Sequence, residues 1–306
     1  MRISLSGSPT DEATTVPGSV AEALADPPAL PSSARELWEL LATLAAHDLG
    51  AARAIEPHLD AMGILQQAGL DIQPGSWGVF AAEGGDDPLL VSEGQLSGTK
   101  PWCSLAGQLD HALVTAHLPG GERALYAVDL HDAGVQVLDG TWKARGLVEI
   151  PSGPVRFRDV PATPVGAPGW YLERPGFAWG GVAVAACWYG GAVGIARAVI
   201  AAKPNPYLLM HLGALDLALG SARRALLEAS DLQGDPRVTA KRVRGTVARA
   251  CEEVIWRAGH ALGPAPLALD EQHAKRVADL QLYLRQHHAE KDDASLGEAL
   301  IGSTPW

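Results

Sequence analysis

The feature that most constrains this chain is a change of hydrophobic period that happens twice. In "SSARELWELLATLAAHDLGAARAIEPHLDAMGILQQAG" (32–69), apolar residues recur at helical spacing: Leu37, Leu40, Leu41, Leu44, then Leu49, Ala52, Ile55, Leu59 and Leu65. Ser32 or Ser33 suits an N-cap, with Glu36 three residues after Ser33, and a break near Asp48–Gly50 divides the stretch into two helices. From about 72 to 165 the runs are short and β-rich ("WGVFAA", "HALVTAHL", "RALYAVDL", "GPVRFRDVPA"), punctuated by "GGDDP", "PGGE", "HDAG" and "PSGP". Six or seven such strands predict an antiparallel barrel or sandwich. From 176 the helical period returns, with helices expected over 177–202, 207–231, 236–261 and 269–297, stopped by "KPNP", "QGDP" and "GPAP". Four long helices with short links predict a four-helix bundle.

The expected class is therefore α+β and multi-domain. It comprises a flexible leader (1–33, rich in Pro, Ser, Ala and Thr), an N-terminal helical segment (34–71), a middle antiparallel β-barrel (72–166) and a C-terminal four-helix bundle (176–300). With 47% hydrophobic and 19% charged residues, the 306-residue chain buries a sizeable core readily. Its net charge of -11 argues against nucleic acid as a partner. Cys103, Cys187 and Cys251 are far apart and form no CxxC pair, so neither zinc nor a disulfide framework is expected, and a reduced cytoplasmic setting is the default. The start, "MRISLSGSPTDEATT", has no apolar stretch of signal-peptide length. The run "FAWGGVAVAACWYGGAVGIARAVIAA" (177–202) comes nearest to a membrane span, but its Gly and Ala content and Arg197 fit a helix packed closely among others.

Within the β region, "LSGTKPWCSLAG" (96–107) alternates Lys100, Trp102 and Ser104, as a strand does. The plain explanation is a hairpin with Trp102 packed on one face. The sharper one is a surface for a flat aromatic cofactor, which an indole can stack against and a hydroxyl can hydrogen-bond.

The order short α, β, α bundle, together with Gly98-Thr99-Lys100-Pro101-Trp102-Cys103-Ser104-Leu105-Ala106, resembles the FAD-dependent acyl-CoA dehydrogenase superfamily and its G-x-K-x-W-[IC]-[ST]-x-[AG] pattern. "GLVEIPSGPVRFRDVPATPVG" (146–166) looks like that family's closing strand, and the resemblance spans roughly 35–297. It implies a fold in which three domains enclose FAD, with Lys100, Trp102, Cys103 and Ser104 at the cofactor, Trp102 flanking the ring and Ser104 near flavin N5. Cys103 itself is expected to point to the core. By the same resemblance Gly259 and Gly263 in "RAGHALGPAPL", and His211, lie where FAD is touched across a subunit interface; a plain helix C-cap at "LGP" is the other explanation of the glycines. The implied reaction is oxidation of a CH–CH bond in a small molecule, such as an acyl-CoA, by a homodimer or homotetramer joined through the bundle.

The chain departs from the family in three places. The T-E-P-x-x-G-S-D segment is replaced by "FAAEGGDDPLLVSEG" (80–94), where Asp86 and Asp87 would repel a pyrophosphate. The N-terminal helical domain has room for two or three helices rather than about six. No Y-E-G-T segment supplies the base. Instead "RQHHAEKDD" places Arg285, His288 and Asp292 in an R-x-x-H-x-x-x-D pattern similar to the superfamily's flavin-dependent monooxygenase branch, with His288 and Asp292 one turn apart on an expected helix face. His287 is the weaker candidate, and a solvated helix end is the plain alternative. Three functions stay open: an acyl-CoA dehydrogenase-type flavoenzyme, a flavin monooxygenase or oxidase, and a flavin-free partner or scaffold subunit.

Overall fold

The computed structural model describes residues 2–7, 16–138 and 140–302. Helices α1 (Val20–Ala25), α2 (Ala34–His47) and α3 (Leu49–Ala68) come first. Strands β1 (Trp77–Phe80), β2 (Leu90–Ser92), β3 (Gln95–Ser104), β4 (His111–His117), β5 (Arg123–Asp129), β6 (Val135–Val137), β7 (Ser152–Pro161) and β8 (Thr163–Val165) follow. Helices α4 (Trp170–Glu173), α5 (Pro175–Ala201), α6 (Pro206–Ala229), α7 (Pro236–Leu262), α8 (Ala265–Leu269), α9 (Glu271–Tyr283) and α10 (Glu290–Leu300) complete the chain.

The Ser33 hydroxyl caps α2 by accepting the Glu36 N–H, while the Glu36 carboxylate reaches back to Ser32. Asp48 ends α2 and caps α3 by accepting the Ala51 N–H, so the two helices meet without a linker. Within the leader expected to be flexible, the residues at its start pack onto the fold. Ile3 and Leu5 are buried, the Leu5 N–H donates to Glu39 (2.8 Å), and Arg223 of α6 donates to the Leu5 carbonyl. Two apolar side chains and two hydrogen bonds outweigh the polar composition around them.

The sheet is mixed and open, not a closed antiparallel barrel. Its order is β6-β7-β3-β2-β4-β5-β8, with β1 pairing β4 in parallel and β2 also meeting β4 in parallel. The cause is a local lock: the Asp110 carboxylate accepts the N–H and O–H of Ser76 at 2.7 and 2.8 Å, which starts β1 and β4 side by side in the same direction. Along β3 the register slips twice, between Leu96 and Gly98 and between Lys100 and Cys103. Gly98 sits at φ +123° against the Pro88 carbonyl, where a Cβ has no room.

In the bundle, α5 is long and apolar enough to cross a membrane, yet 72% of that stretch is buried among the other elements. Its small residues do what their spacing predicts. Gly190 and Gly194, one turn apart, lie on the carbonyls of Ala42 and Ala46, one turn apart on α2. The last expected helix, 269–297, is not continuous. Tyr283 and Leu284 are both buried, the chain tightens into a 3-10 turn (Leu284–Gln286), and Ala289 takes φ +41° before α10 begins. Arg244 of α7 donates to the Gln286 carbonyl that this break leaves free. One apolar core runs from α2 through the sheet into α7.

Gly190→Ala would put a Cβ on the Ala42 carbonyl oxygen, whereas Gly213 on α6 faces open space. Urea denaturation is expected to show Gly190→Ala destabilised by about 1–3 kcal/mol or more, and Gly213→Ala unchanged or stabilised by up to about 1 kcal/mol.

Candidate active site

The second register slip of β3 shapes the site. It puts Trp102 at φ +58°, a backbone region that bulky residues rarely adopt, and leaves the indole 61% exposed. Because of the bulge, the alternation read from the sequence is broken: Lys100 is buried while Trp102 is open to solvent. Two residues on, Ser104 is buried and lies at the seam with α3. Arg53 of α3 donates to the Ser104 hydroxyl (2.9 Å), which is 2.7 Å from the Ser152 hydroxyl, and Ser152 in turn donates to the Ile150 carbonyl. The Ser104 proton therefore goes to Ser152, and one lone pair of Ser104 stays open to accept an N–H. Beyond Ser104 toward α3 only about 10 Å³ is empty, closed by Arg53, Pro57, Phe80 and Leu109. Cys103 points to the core, and burial pushes its thiol up to about 12.

Lys100 does not reach this seam. Its ammonium donates to Glu83 and Thr115, both at 2.8 Å. Glu83 also meets His117 (2.8 Å) and Arg123 (3.0 Å). Burial alone would raise the Glu83 carboxyl, but the Lys100 and His117 hydrogen bonds and the neighbouring cations hold it down at about 2. The basic groups near residues 83–87 thus share the Glu83 carboxylate as a common partner, and Asp87 accepts from the Thr99 hydroxyl.

The α3 helix carries a second, polar stripe beside its apolar one: Arg53, Glu56, Asp60 and Gln67. Arg53 stacks over Tyr283, whose ring meets Trp188 edge-on, and Trp188 meets His287 in the same way. In this layer Arg53 Nη1, Trp188 Nε1 and His287 Nε2 are buried without a hydrogen-bond partner, while the Tyr283 hydroxyl meets the Cys187 thiol. So many orphaned polar atoms in one place mark a site built for something more than apolar packing.

On the far side of this layer opens a cavity of about 570 Å³ between α3, α5, α7 and the start of α10. Glu56 and Asp60 line it from α3, and Arg237, Lys241 and Arg244 from α7. His288 and Asp292 also line it, as the sequence pairs them, but not from one helix face. His288 precedes α10, its backbone N–H donates to Asp292 (3.3 Å), and its Nδ1 lies 3.9 Å from the same carboxylate. His287, the weaker candidate, has its Nε2 3.8 Å from Asp292. Burial pushes the Glu56 carboxyl up to about 7 against the pull of Arg53, and burial raises Asp60 against the pull of Arg174. A carboxyl that ionises near neutrality inside a cavity can take up or release a proton there.

The remaining candidates lie apart. Arg285 is exposed and pairs with Glu252 at 2.8 Å. His211 is buried on α6, near Trp256 and His260 of α7. Gly263 is the C-cap of α7 at φ +70°, with its N–H donating to the Gly259 carbonyl, which is the helix-end explanation of both glycines. Among the described residues no group of three or more His, Cys, Asp and Glu side chains comes close enough together to hold a metal ion. The sequence reading missed Arg53, Glu56 and Asp60. Their signal was present: charged residues at i, i+3 and i+7 on a helix with an otherwise buried face.

Between pH 4.5 and about 7, folded Glu56 holds a proton that the unfolded chain has released. Its contribution to stability therefore falls as pH rises through that window. Glu56→Gln is expected to remove the slope, gaining about 3 kcal/mol on the wild type between those limits in urea denaturation followed across pH.

No protein-family model matches the sequence, nor does any curated protein. Solved structures do match its fold. FMN-bound TdsC from Paenibacillus sp. A11-2 superposes with TM-score 0.74 at 19% identity, over 88% of this chain and 84% of that one. Butyryl-CoA dehydrogenase from Megasphaera elsdenii gives 0.77 at 14% identity, over 88% and 82%. A glutaryl-CoA dehydrogenase from Mycobacterium smegmatis in complex with FADH2 gives 0.77 at 15% identity, over 89% and 81%. With its short helical start, open sheet and long-helix bundle, the chain takes the acyl-CoA dehydrogenase fold.

Proposed function

We propose that this chain is a flavin-dependent oxidoreductase of the acyl-CoA dehydrogenase type, with the flavin ring against Trp102 and a small-molecule substrate in the cavity lined by Glu56, His288 and Asp292. The observation that carries the proposal is Trp102 itself, a large aromatic side chain 61% exposed on a left-handed backbone beside Ser104. Such a placement is costly and persists where it serves a site. The residues fit the ring end of a flavin. The open indole offers a flat surface and Ser104 keeps a lone pair for an N–H, while the Arg53 guanidinium orients the Ser104 hydroxyl. They do not fit its phosphates at residues 83–87, where Glu83 and Asp87 take up the neighbouring donors. The phosphate-bearing tail is then held elsewhere, and a second subunit is our choice. The α6–α7 face exposes Leu209, Met210, Leu217 and Trp256, near His211 and the end of α7, and suits a homodimer or homotetramer. TdsC was solved with FMN and the glutaryl-CoA dehydrogenase with FADH2; FAD is our assignment for this chain.

When bound, the flavin supplies a two-electron acceptor. Glu56 takes a proton from a C–H bond next to a carbonyl, as its near-neutral ionisation allows. The apolar wall of Tyr171, Phe177 and Val184 keeps water from the reacting carbons. The substrate we favour is an acyl thioester or a similar small molecule, oxidised at a CH–CH bond in the cytoplasm. A second assignment, monooxygenase or oxidase, draws on His288 and Asp292 lining the same cavity.

The test is the visible absorption spectrum of the protein after incubation with FAD or FMN and desalting. A retained two-band flavin spectrum is expected in the wild type, with about tenfold weaker retention in Trp102→Ala. No flavin in the wild type would leave a fold kept for its interfaces.

A further inference from the structure

The cavity between α3, α5, α7 and α10 is charged in a way that the whole chain is not. The net charge is -11, with 24 Lys and Arg among 306 residues, yet Arg174, Arg237, Lys241 and Arg244 converge on this one space. The three from α7 fall at i, i+4 and i+7, on one helix face, with Ala240 between them leaving room. Among the described residues none of these three has a carboxylate within ion-pair distance. Arg244 donates to the carbonyls of Gly181 and Gln286, Lys241 donates to the Ser295 hydroxyl, and the exposed Arg237 has no side-chain partner. Neutral partners satisfy the donors but leave the charge in place.

The acidic groups facing this cluster do not cancel it. Asp60 is taken up by Arg174, 3.6 Å away. Glu56 is held protonated up to about neutral pH by its burial. Asp292, 3.8 and 3.9 Å from the His287 and His288 rings, also acts on Arg244, and this single carboxylate leaves two of the three α7 cations without a countercharge. Arg174 adds an independent sign: its side chain is 4% exposed, it lines the cavity, and its Nε is buried with no partner. The opposite wall is apolar, formed by Tyr171, Leu172, Phe177 and Val184. A volume of about 570 Å³ lies within the usual range for small-molecule sites.

We infer that this cavity takes an amphipathic anion, a medium-length apolar body carrying its own carboxylate or phosphate, with the head on Arg237, Lys241 and Arg244 and the body against Tyr171 and Phe177. The inference deepens the function proposed above and depends on it only in naming the ligand a substrate. Anion and apolar body are recognised by different walls, so neither a plain alcohol nor an amine of equal length satisfies both.

The test is titration calorimetry of the full chain at pH 7 and low salt with octanoate, octyl phosphate, octanol and octylamine. Octanoate or octyl phosphate is expected to bind at least about tenfold more tightly than octanol or octylamine, and whichever binds better identifies the head group. Arg237→Glu combined with Lys241→Glu changes side chains that are not core, so its melting temperature should match the wild type while anion affinity falls about tenfold or more. Octanol binding as tightly as both anions, binding of neither anion, or an unchanged affinity in the double variant would each overturn the inference. Flavin content is read from the absorbance of the same sample, after incubation with FAD or FMN and desalting. Anion binding by flavin-free protein upholds the site and removes the flavoenzyme assignment, while retained flavin without anion binding overturns the site alone.

Discussion

The contact on which the rest depends is the hydrogen bond from Arg53 to Ser104, where α3 meets the last residue of β3. It ties a helix to a sheet at the point where the strand has already been displaced by a bulge. The same helix, one and two turns on, carries Glu56 and Asp60 into the cavity beside the bundle. A single rigid element therefore spans from the sheet hydroxyl to the cavity carboxylates. Helices position such groups more sharply than loops do, because their backbone is fixed by its own hydrogen bonds. Asp48 caps α3 while ending α2, so the placement of α3 is inherited from α2.

The placement of α2 follows from close packing. Gly190 and Gly194 let α5 rest directly on the Ala42 and Ala46 carbonyls, which draws the reduced helical segment onto the bundle. Of the N-terminal helices only α3 lines the cavity, so much of its wall comes from other elements. The break after Leu284 supplies one side. If α9 continued straight through residues 284–297, His288 and Asp292 would follow its axis; instead the chain turns and both line the cavity. Arg244 holds the turn through the Gln286 carbonyl and lies over Trp188, so the cation that caps the break is also part of the cavity wall.

Much of this architecture was legible in the sequence, and the failures have physical causes. The helices 177–202, 207–231 and 236–261 were marked by Pro and Gly at their ends and fall within about two residues of α5, α6 and α7. The strand at Lys100–Ser104 was legible, but its bulge was not, because one extra residue leaves no mark on composition. Closure of the barrel was expected from a row of short strands. The parallel start of β1 and β4 rests on Ser76 and Asp110, 34 residues apart, which no local pattern reveals. The break at Leu284 was hidden because "RQHHAEKDD" is polar whether or not it is helical. Glu56 was overlooked because α3 was read for its apolar stripe alone, and burial of a charged residue beside that stripe depends on α5 and α7, which no local pattern in 49–68 reveals.

The most direct test of this account is carboxyl-carbon NMR of the protein labelled at its glutamate side chains, followed across pH in the wild type and in Arg53→Ala. If α3 joins the sheet seam to the cavity as described, one glutamate resonance, absent in Glu56→Gln, titrates near pH 7 in the wild type. It moves higher still in Arg53→Ala, because the Arg53 charge is what opposes the effect of burial. A Glu56 resonance titrating with the ordinary glutamates, or one indifferent to the loss of Arg53, would contradict the account.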